Sequence, residues 1–253
     1  MKIVGVIPAR YESTRFPGKP LADICGKPMI WWVYNQLNKV NGIDEIYVAT
    51  DNLKIVNECE KLNIKAIMTK NTHNTHLDRL AEFCELVNAD FYINVNGDEP
   101  LIDPQNIQKL IPKENINPLD FYVANAMTTI TEPIELVDNA RIKIVVDKFG
   151  YGMYMARTPI PYPKGTTKFN YKKFVGIQCF SKSALQFCKN TERGEIENIE
   201  DIDEYRFLEN GKKIKFVTVN ADSFSVDTQK DLAKVREIIK NEYKQHKNIG
   251  LHS

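Results

Sequence analysis

Paired cysteines are missing from this chain: Cys25, Cys59, Cys84, Cys179 and Cys188 stand singly, with no CxxC among them. That excludes a zinc ribbon and a disulfide framework and makes the cytoplasm the expected compartment. Also lacking are the glycine-rich phosphate signatures, since neither G-x-G-x-x-G nor the Walker spacing occurs, which disfavours a nicotinamide-dependent dehydrogenase and a P-loop enzyme. There is no excess of one charge sign. Lys plus Arg number 34 and Asp plus Glu 33, for a net charge of +1. Such a balance gives no global field for nucleic acid or an acidic membrane, so any phosphate chemistry must use a local cluster. No apolar run approaches the roughly 20 residues of a membrane span. Met1-Lys2-Ile3-Val4 enters a strand pattern at once, so no secretion signal is expected. Internal repeats and low-complexity tracts are absent as well.

What is present alternates by period. Short apolar strands at Ile3–Ile7, Glu45–Ala49, Lys65–Met68, Phe91–Val95 and Phe121–Ala126 are separated by amphipathic helices at Met29–Lys39, Leu53–Leu62, Leu77–Val87 and Gln105–Ile111. This pattern predicts a Rossmann-like three-layer α/β/α fold with a mostly parallel mixed sheet. Asp51 and Asp103 are expected to cap the helices that follow them. Between Thr129 and Tyr162 the period turns strand-like, with Ile142–Val146 and Gly152–Ala156 flanking Lys148-Phe149-Gly150. We read 129–173 as an inserted β-hairpin lobe and dimerisation surface on one domain whose core is 1–128 and 174–246. The core pattern resumes with a strand at Phe174–Phe180, helices at Lys182–Cys188 and Ile199–Glu209, a strand at Ile214–Val219 and a closing helix from Thr228 to about Lys244.

Three segments carry chemistry, and each follows a strand. The first runs Pro8-Ala9-Arg10-Tyr11-Glu12-Ser13-Thr14-Arg15-Phe16-Pro17-Gly18-Lys19-Pro20. At the carboxyl end of a buried strand, where open α/β sheets bind ligands, Arg10, Arg15 and Lys19 could neutralise a triphosphate. A solvated basic turn is the alternative. The second is Asn94-Val95-Asn96-Gly97-Asp98-Glu99-Pro100, where Asp98 could hold magnesium with phosphate oxygens or could merely close a turn. The third is Phe224-Ser225-Val226-Asp227-Thr228-Gln229-Lys230-Asp231. A capping box accounts for Thr228 and Asp231 but not for Asp227, which beside Asp98 would complete a metal site.

These segments, together with Leu21-Ala22-Asp23-Ile24-Cys25-Gly26-Lys27-Pro28-Met29-Ile30 and Tyr47-Val48-Ala49-Thr50-Asp51, resemble the CMP-Kdo synthetases, the 3-deoxy-manno-octulosonate (Kdo) cytidylyltransferases. The resemblance runs through nearly the whole chain and includes Lys143-Ile144-Val145-Val146-Asp147 and Arg157-Thr158-Pro159-Ile160-Pro161. It implies a nucleotidyltransferase that transfers CMP from CTP to the anomeric hydroxyl of a 2-keto-3-deoxy sugar acid for surface polysaccharide, releasing pyrophosphate with magnesium bound; with the 129–173 lobe as its dimerisation surface, the expected assembly is a homodimer. It further implies that Arg10, Ser13, Arg15 and Lys19 hold the triphosphate with Pro8, Ala9, Asn96 and Gly97 nearby. By the same likeness Asp98 and Asp227 hold metal, Arg79 lies near the cytosine, and Lys143 and Arg157 face the acceptor.

The chain departs from that family pattern mainly on the acceptor side. Where the family has His-x-Ser-Gly-Thr-Asp/Glu-Arg, this chain has His73-Asn74-Thr75-His76-Leu77-Asp78-Arg79, so an imidazole replaces a glycine that lets the backbone approach a ligand, and either the nucleotide sits differently or His76 makes a contact of its own. His76 and His73 are either exposed loop residues or make contacts of their own; a zinc pair would lack further ligands. Asn96 stands for the usual Gln, Phe174-Val175-Gly176-Ile177-Gln178 for His-Leu-Gly-Ile-Tyr, and Asp203-Glu204-Tyr205-Arg206 for Glu-Gln-Leu-Arg. The acidic run from Glu195 to Asp201 reads as a solvated helix face. An extra carboxylate near a sugar acid would repel its carboxylate and attract an amine. The expected acceptor is therefore an acid other than Kdo itself, such as an amino-bearing one, met by Gln178, Asp203 and Glu204. A different base, or a silent protein that only binds nucleotide, are the rival readings.

Overall fold

The computed structural model describes residues 1–12, 16–166, 168–220 and 224–249, with side chains described up to residue 241. In chain order its elements are β1 (Ile3–Ala9), β2 (Asp23–Ile24), β3 (Lys27–Pro28), α1 (Met29–Leu37), β4 (Glu45–Thr50), α2 (Leu53–Lys61), β5 (Lys65–Met68), α3 (His76–Leu86), β6 (Phe91–Val95), α4 (Pro104–Gln108), β7 (Val123–Thr129), α5 (Pro133–Val137), β8 (Lys143–Val146), β9 (Gly152–Ala156), β10 (Lys172–Ser181), α6 (Lys182–Lys189), α7 (Glu195–Glu200), α8 (Tyr205–Leu208), β11 (Lys215–Thr218) and α9 (Gln229–Ile249).

Successive residues of a strand point to opposite faces, and β1 is apolar on both. Ile3, Ile7 and Ala9 pack with Ile30, Val33 and Leu37 of α1 and with Ile55 and Cys59 of α2. Val4 and Val6 face the other way, onto Leu80 and Phe83 of α3 and Leu185 of α6. Helices thus cover both faces of one sheet, the three-layer α/β/α arrangement expected from the alternating pattern. The strand order is β11-β7-β10-β6-β1-β4-β5, with β8 and β9 attached through β10. Strands β6, β1, β4 and β5 run parallel, whereas β10 is antiparallel to both β6 and β7.

Three expectations are corrected. The helix expected over Ile199–Glu209 is two, α7 and α8. The chain breaks at Asp201, which adopts a left-handed φ of 51°, and the Arg157 guanidinium takes the carbonyls of Glu200 (2.5 Å) and Asp201 (2.7 Å). Asp51 does not cap α2; Asn52 does, its side chain accepting from the Lys54 amide at 2.9 Å. Within the strand-like region from Thr129, Pro133–Val137 forms the short helix α5. Asp103 caps α4 as expected, accepting from the Gln105 amide at 2.9 Å.

A third apolar cluster joins the ends of the chain. Val226, Leu232, Val235 and Ile239 from the α9 region bury against Phe16, Ile24 and Met29. This contact brings the segment after β11 back to the loop after β1.

Candidate active site

Because β1 and β6 are parallel neighbours, the loops that follow them leave the sheet on the same rim. Pro8, Ala9 and Arg10 end the first, and Asn96, Gly97 and Asp98 begin the second. A Cβ on Gly97 would stand 2.9 Å from the Pro8 carbonyl oxygen, so this close approach needs glycine. A cleft of ≈ 320 Å³ opens here, lined also by Lys19 and Pro20, by His73 to His76 and Arg79, and by Asp201, Asp203 and Asp227.

Lys19 is the hub. Its ammonium lies 2.8 Å from Asp98 Oδ2 and 3.5 Å from Asp227 Oδ1. The Val226 amide donates to the Asp98 carbonyl at 2.8 Å, tying the two acidic segments together. Thr228 and Asp231 form the expected capping contacts, the Thr228 amide donating to Asp231 Oδ2 at 2.8 Å and the Asp231 amide to Thr228 Oγ1 at 3.3 Å. That leaves Asp227 directed at Lys19. The donor set is two hard carboxylate oxygens around one ammonium, which fits a small divalent cation completed by phosphate oxygens and water. Among the described residues, no group of three or more His, Cys, Asp or Glu could hold a metal by itself.

On the β4 side of the cleft Arg79 is buried and fixed. Its guanidinium donates to Thr69 Oγ1 (2.5 Å) and to Asp51 Oδ2 (2.6 Å). Asp51, freed from capping duty, is therefore a positioning partner that sequence reasoning missed. Thr75 starts α3 with a capping box to Asp78, and the Thr-x-x-Asp spacing was the signal for it. His73 bonds Glu82 at 2.5 Å.

On the β10 side lies a polar wall. His76 Nδ1 sits 2.8 Å from Asp203 Oδ2. Burial opposes charge on this imidazole, but the Asp203 carboxylate overcomes it and raises His76 to about 9. Asp203 is correspondingly lowered, with burial opposing and His76 prevailing. Gln178 and Glu204 are buried beneath His76: Gln178 Nε2 donates to Glu204 Oε1 at 2.9 Å, and Asn125 Nδ2 does so at 3.2 Å. Burial raises the Glu204 carboxyl above its ordinary value.

The structure thus brings Pro8, Ala9, Arg10, Lys19, Arg79, Asn96, Gly97, Asp98, Asp203 and Asp227 to one cleft. Ser13 and Arg15 lie outside the described residues. Four expected acceptor residues are not among its lining: Gln178 and Glu204 are buried beneath His76, and Lys143 and Arg157 lie elsewhere. The Lys143 ammonium is fully buried and donates to the carbonyls of Asp138 (2.5 Å) and Arg157 (2.7 Å), and Arg157 spends its guanidinium on the C-terminal end of α7 and on the Asn139 carbonyl. Both cations are consumed by backbone carbonyls. Asp201, read as part of a solvated helix face, is exposed as expected and also lines the cleft, just beyond the end of α7.

A family model described as Cytidylyltransferase matches residues 4–214. The chain belongs to the cytidylyltransferase family. It is 38% identical to a 3-deoxy-manno-octulosonate cytidylyltransferase of Escherichia coli over 95% of this chain and 97% of that protein. It is 37% identical to an 8-amino-3,8-dideoxy-manno-octulosonate cytidylyltransferase of Shewanella frigidimarina, over 92% and 97%. Among solved structures it is similar to a CMP:2-keto-3-deoxy-manno-octonic acid synthetase complexed with CTP, with a TM-score of 0.90, 38% identity, and coverage of 96% of this chain and 100% of that one. The matched region contains the loops after β1 and β6, while the Asp227 segment lies beyond it.

Proposed function

We propose that this enzyme transfers CMP from CTP to a hydroxyl of a Kdo-like sugar acid and releases pyrophosphate. The observation that carries the reading is the convergence of Asp98 and Asp227 on Lys19 at the β1–β6 rim, in a chain whose relatives act on such acids. The acceptor hydroxyl oxygen attacks the α-phosphorus, a new P–O bond forms as the hydroxyl proton passes to solvent, and the bond to the oxygen bridging to the β-phosphate breaks with its electron pair leaving on pyrophosphate. Such transfer needs positioning and charge neutralisation more than a covalent nucleophile. Arg10 and Lys19 neutralise the triphosphate, and Arg79, braced by Asp51, lies against the nucleoside. Asp98 and Asp227 would hold magnesium, which supplies electrostatic stabilisation at the α-phosphate. The reaction takes place in the cytoplasm, where CTP is available.

Pyrophosphate release with CTP and a panel of 2-keto-3-deoxy sugar acids tests the activity. Asp98→Asn should keep the melting temperature within a few degrees while lowering turnover by about 100-fold or more. Turnover that survives this substitution removes the metal role of Asp98, and no release with any acid removes the reaction.

A further inference from the structure

Positions where this chain departs from the family pattern lie far apart in sequence, yet they are bonded to one another. His76 meets Asp203 at 2.8 Å and Gln178 at 3.2 Å, and Gln178 meets Glu204 at 2.9 Å. Asn96 joins through Asn94, whose side-chain amide donates to Asn96 Oδ1 and to Gln178 Oε1. The sheet explains how: Gln178 on β10 stands in register between Asn94 on β6 and Asn125 on β7, so the three amides form a row on one face. Independent surface changes would not collect at a single wall of a cleft. A changed ligand would collect them.

The unpaired atoms of this wall tell which chemistry it takes. Asp203 is 9% exposed and lines the cleft. Its Oδ2 is engaged by His76 Nδ1 and by the Leu77 amide at 3.4 Å, which leaves Oδ1 without a partner among the described residues. Beneath it, Asn94 Oδ1 and Asn125 Oδ1 are buried and also unpartnered. All three are acceptor oxygens, and among the described residues no buried side-chain donor is left without a partner. An ammonium group has three donors and no acceptor, and its hydrogen bond to a carboxylate is roughly twice as strong as a neutral one.

Resting on the activity proposed above, we propose that Asp203, oriented by His76, determines acceptor specificity and selects a sugar acid bearing an ammonium group. His76 acts as a positioning residue: it holds Oδ2 so that Oδ1 faces the cleft, and its own charge moderates that of the carboxylate.

The test compares kcat/KM for 8-amino-3,8-dideoxy-manno-octulosonate with that for 3-deoxy-manno-octulosonate, at saturating CTP. The wild-type enzyme should favour the amine by about tenfold or more, the factor expected for one charge-assisted hydrogen bond. Asp203→Asn should erase that preference. His76→Gln, which keeps a donor for Asp203 but removes the positive charge, should increase it, and both variants should leave KM for CTP within about twofold. Opposite shifts from the two halves of one ion pair are not produced by a merely structural role, which would lower both acids together. Equal use of the acids by the wild type, or a ratio that neither variant moves, overturns the inference. Should Asp203→Asn fail to fold, a His76→Gln ratio equal to or below wild type overturns it alone. If CTP binds but neither acid releases pyrophosphate, the proposed activity falls and this inference with it.

Discussion

His76 illustrates how one substituted residue couples to the stability of the fold. Burial disfavours its charge, yet the Asp203 carboxylate lifts it from the ordinary 6.5 to about 9. A folded-state value above the unfolded one means that the pair stabilises the native state fully below about pH 6.5, and that this contribution drains away as pH rises through about 9. Melting curves of the wild type and His76→Gln between pH 6 and 10 should therefore show a gap that narrows with rising pH. Parallel profiles would mean that His76 is not held charged. The same residue marks the limit of legibility. Lys19, Asp98 and Asp227 could be placed at a site from sequence because each sits in a short polar segment directly after a strand, and strand ends share a rim. Lys143 and Arg157 could not be placed, because nothing local in a sequence distinguishes a cation that faces a cleft from one that donates to carbonyls contributed by distant segments. The His76–Asp203 pair was equally hidden, since its partners come from the start of α3 and from the break between α7 and α8.

At the scale of elements, the site depends on how tightly the loop after β6 lies on the end of β1. A methyl group at position 97 would press on the Pro8 carbonyl oxygen at 2.9 Å, a backbone atom that cannot swing aside. Gly97→Ala should thus displace Asp98 from Lys19, lower turnover by at least about tenfold, and destabilise by about 1–3 kcal/mol as other overpacked sites do. Chemical denaturation and pyrophosphate release read the two effects; wild-type values for both would show that the loop has slack. Strands with strong apolar runs, such as Lys65–Met68, Phe91–Val95 and Gly152–Ala156, keep in the structure the bounds that periodicity predicts. The helix expected over Ile199–Glu209 does not, because its break is set by Asp201 in the left-handed region and by Arg157 reaching in from the end of β9. Periodicity reports which residues prefer a face and is blind to a capping group supplied from elsewhere in the chain.

For the whole molecule, the layered α/β/α arrangement was legible from alternating strands and helices, but the antiparallel insertion of β10 between β6 and β7 was not, since strand order is a property of packing. One large-scale expectation follows from where apolar surface remains. Among the described residues, Ile134, Val137, Phe149, Met153, Tyr154, Tyr162 and Phe169 are exposed, all within the 129–173 segment built around the β8–β9 hairpin. Scattered exposed apolar residues are ordinary, whereas a concentration of them marks an association surface. We expect a homodimer formed through this segment, so sedimentation at micromolar concentration should give twice the 29.1 kDa mass of one chain. Met153, 63% exposed on β9, provides the handle. Met153→Asp would bring two like charges into a two-fold interface and should yield a folded monomer. A wild-type chain that sediments as a monomer, or a Met153→Asp variant that remains fully dimeric, would show that this apolar face is not where two copies meet.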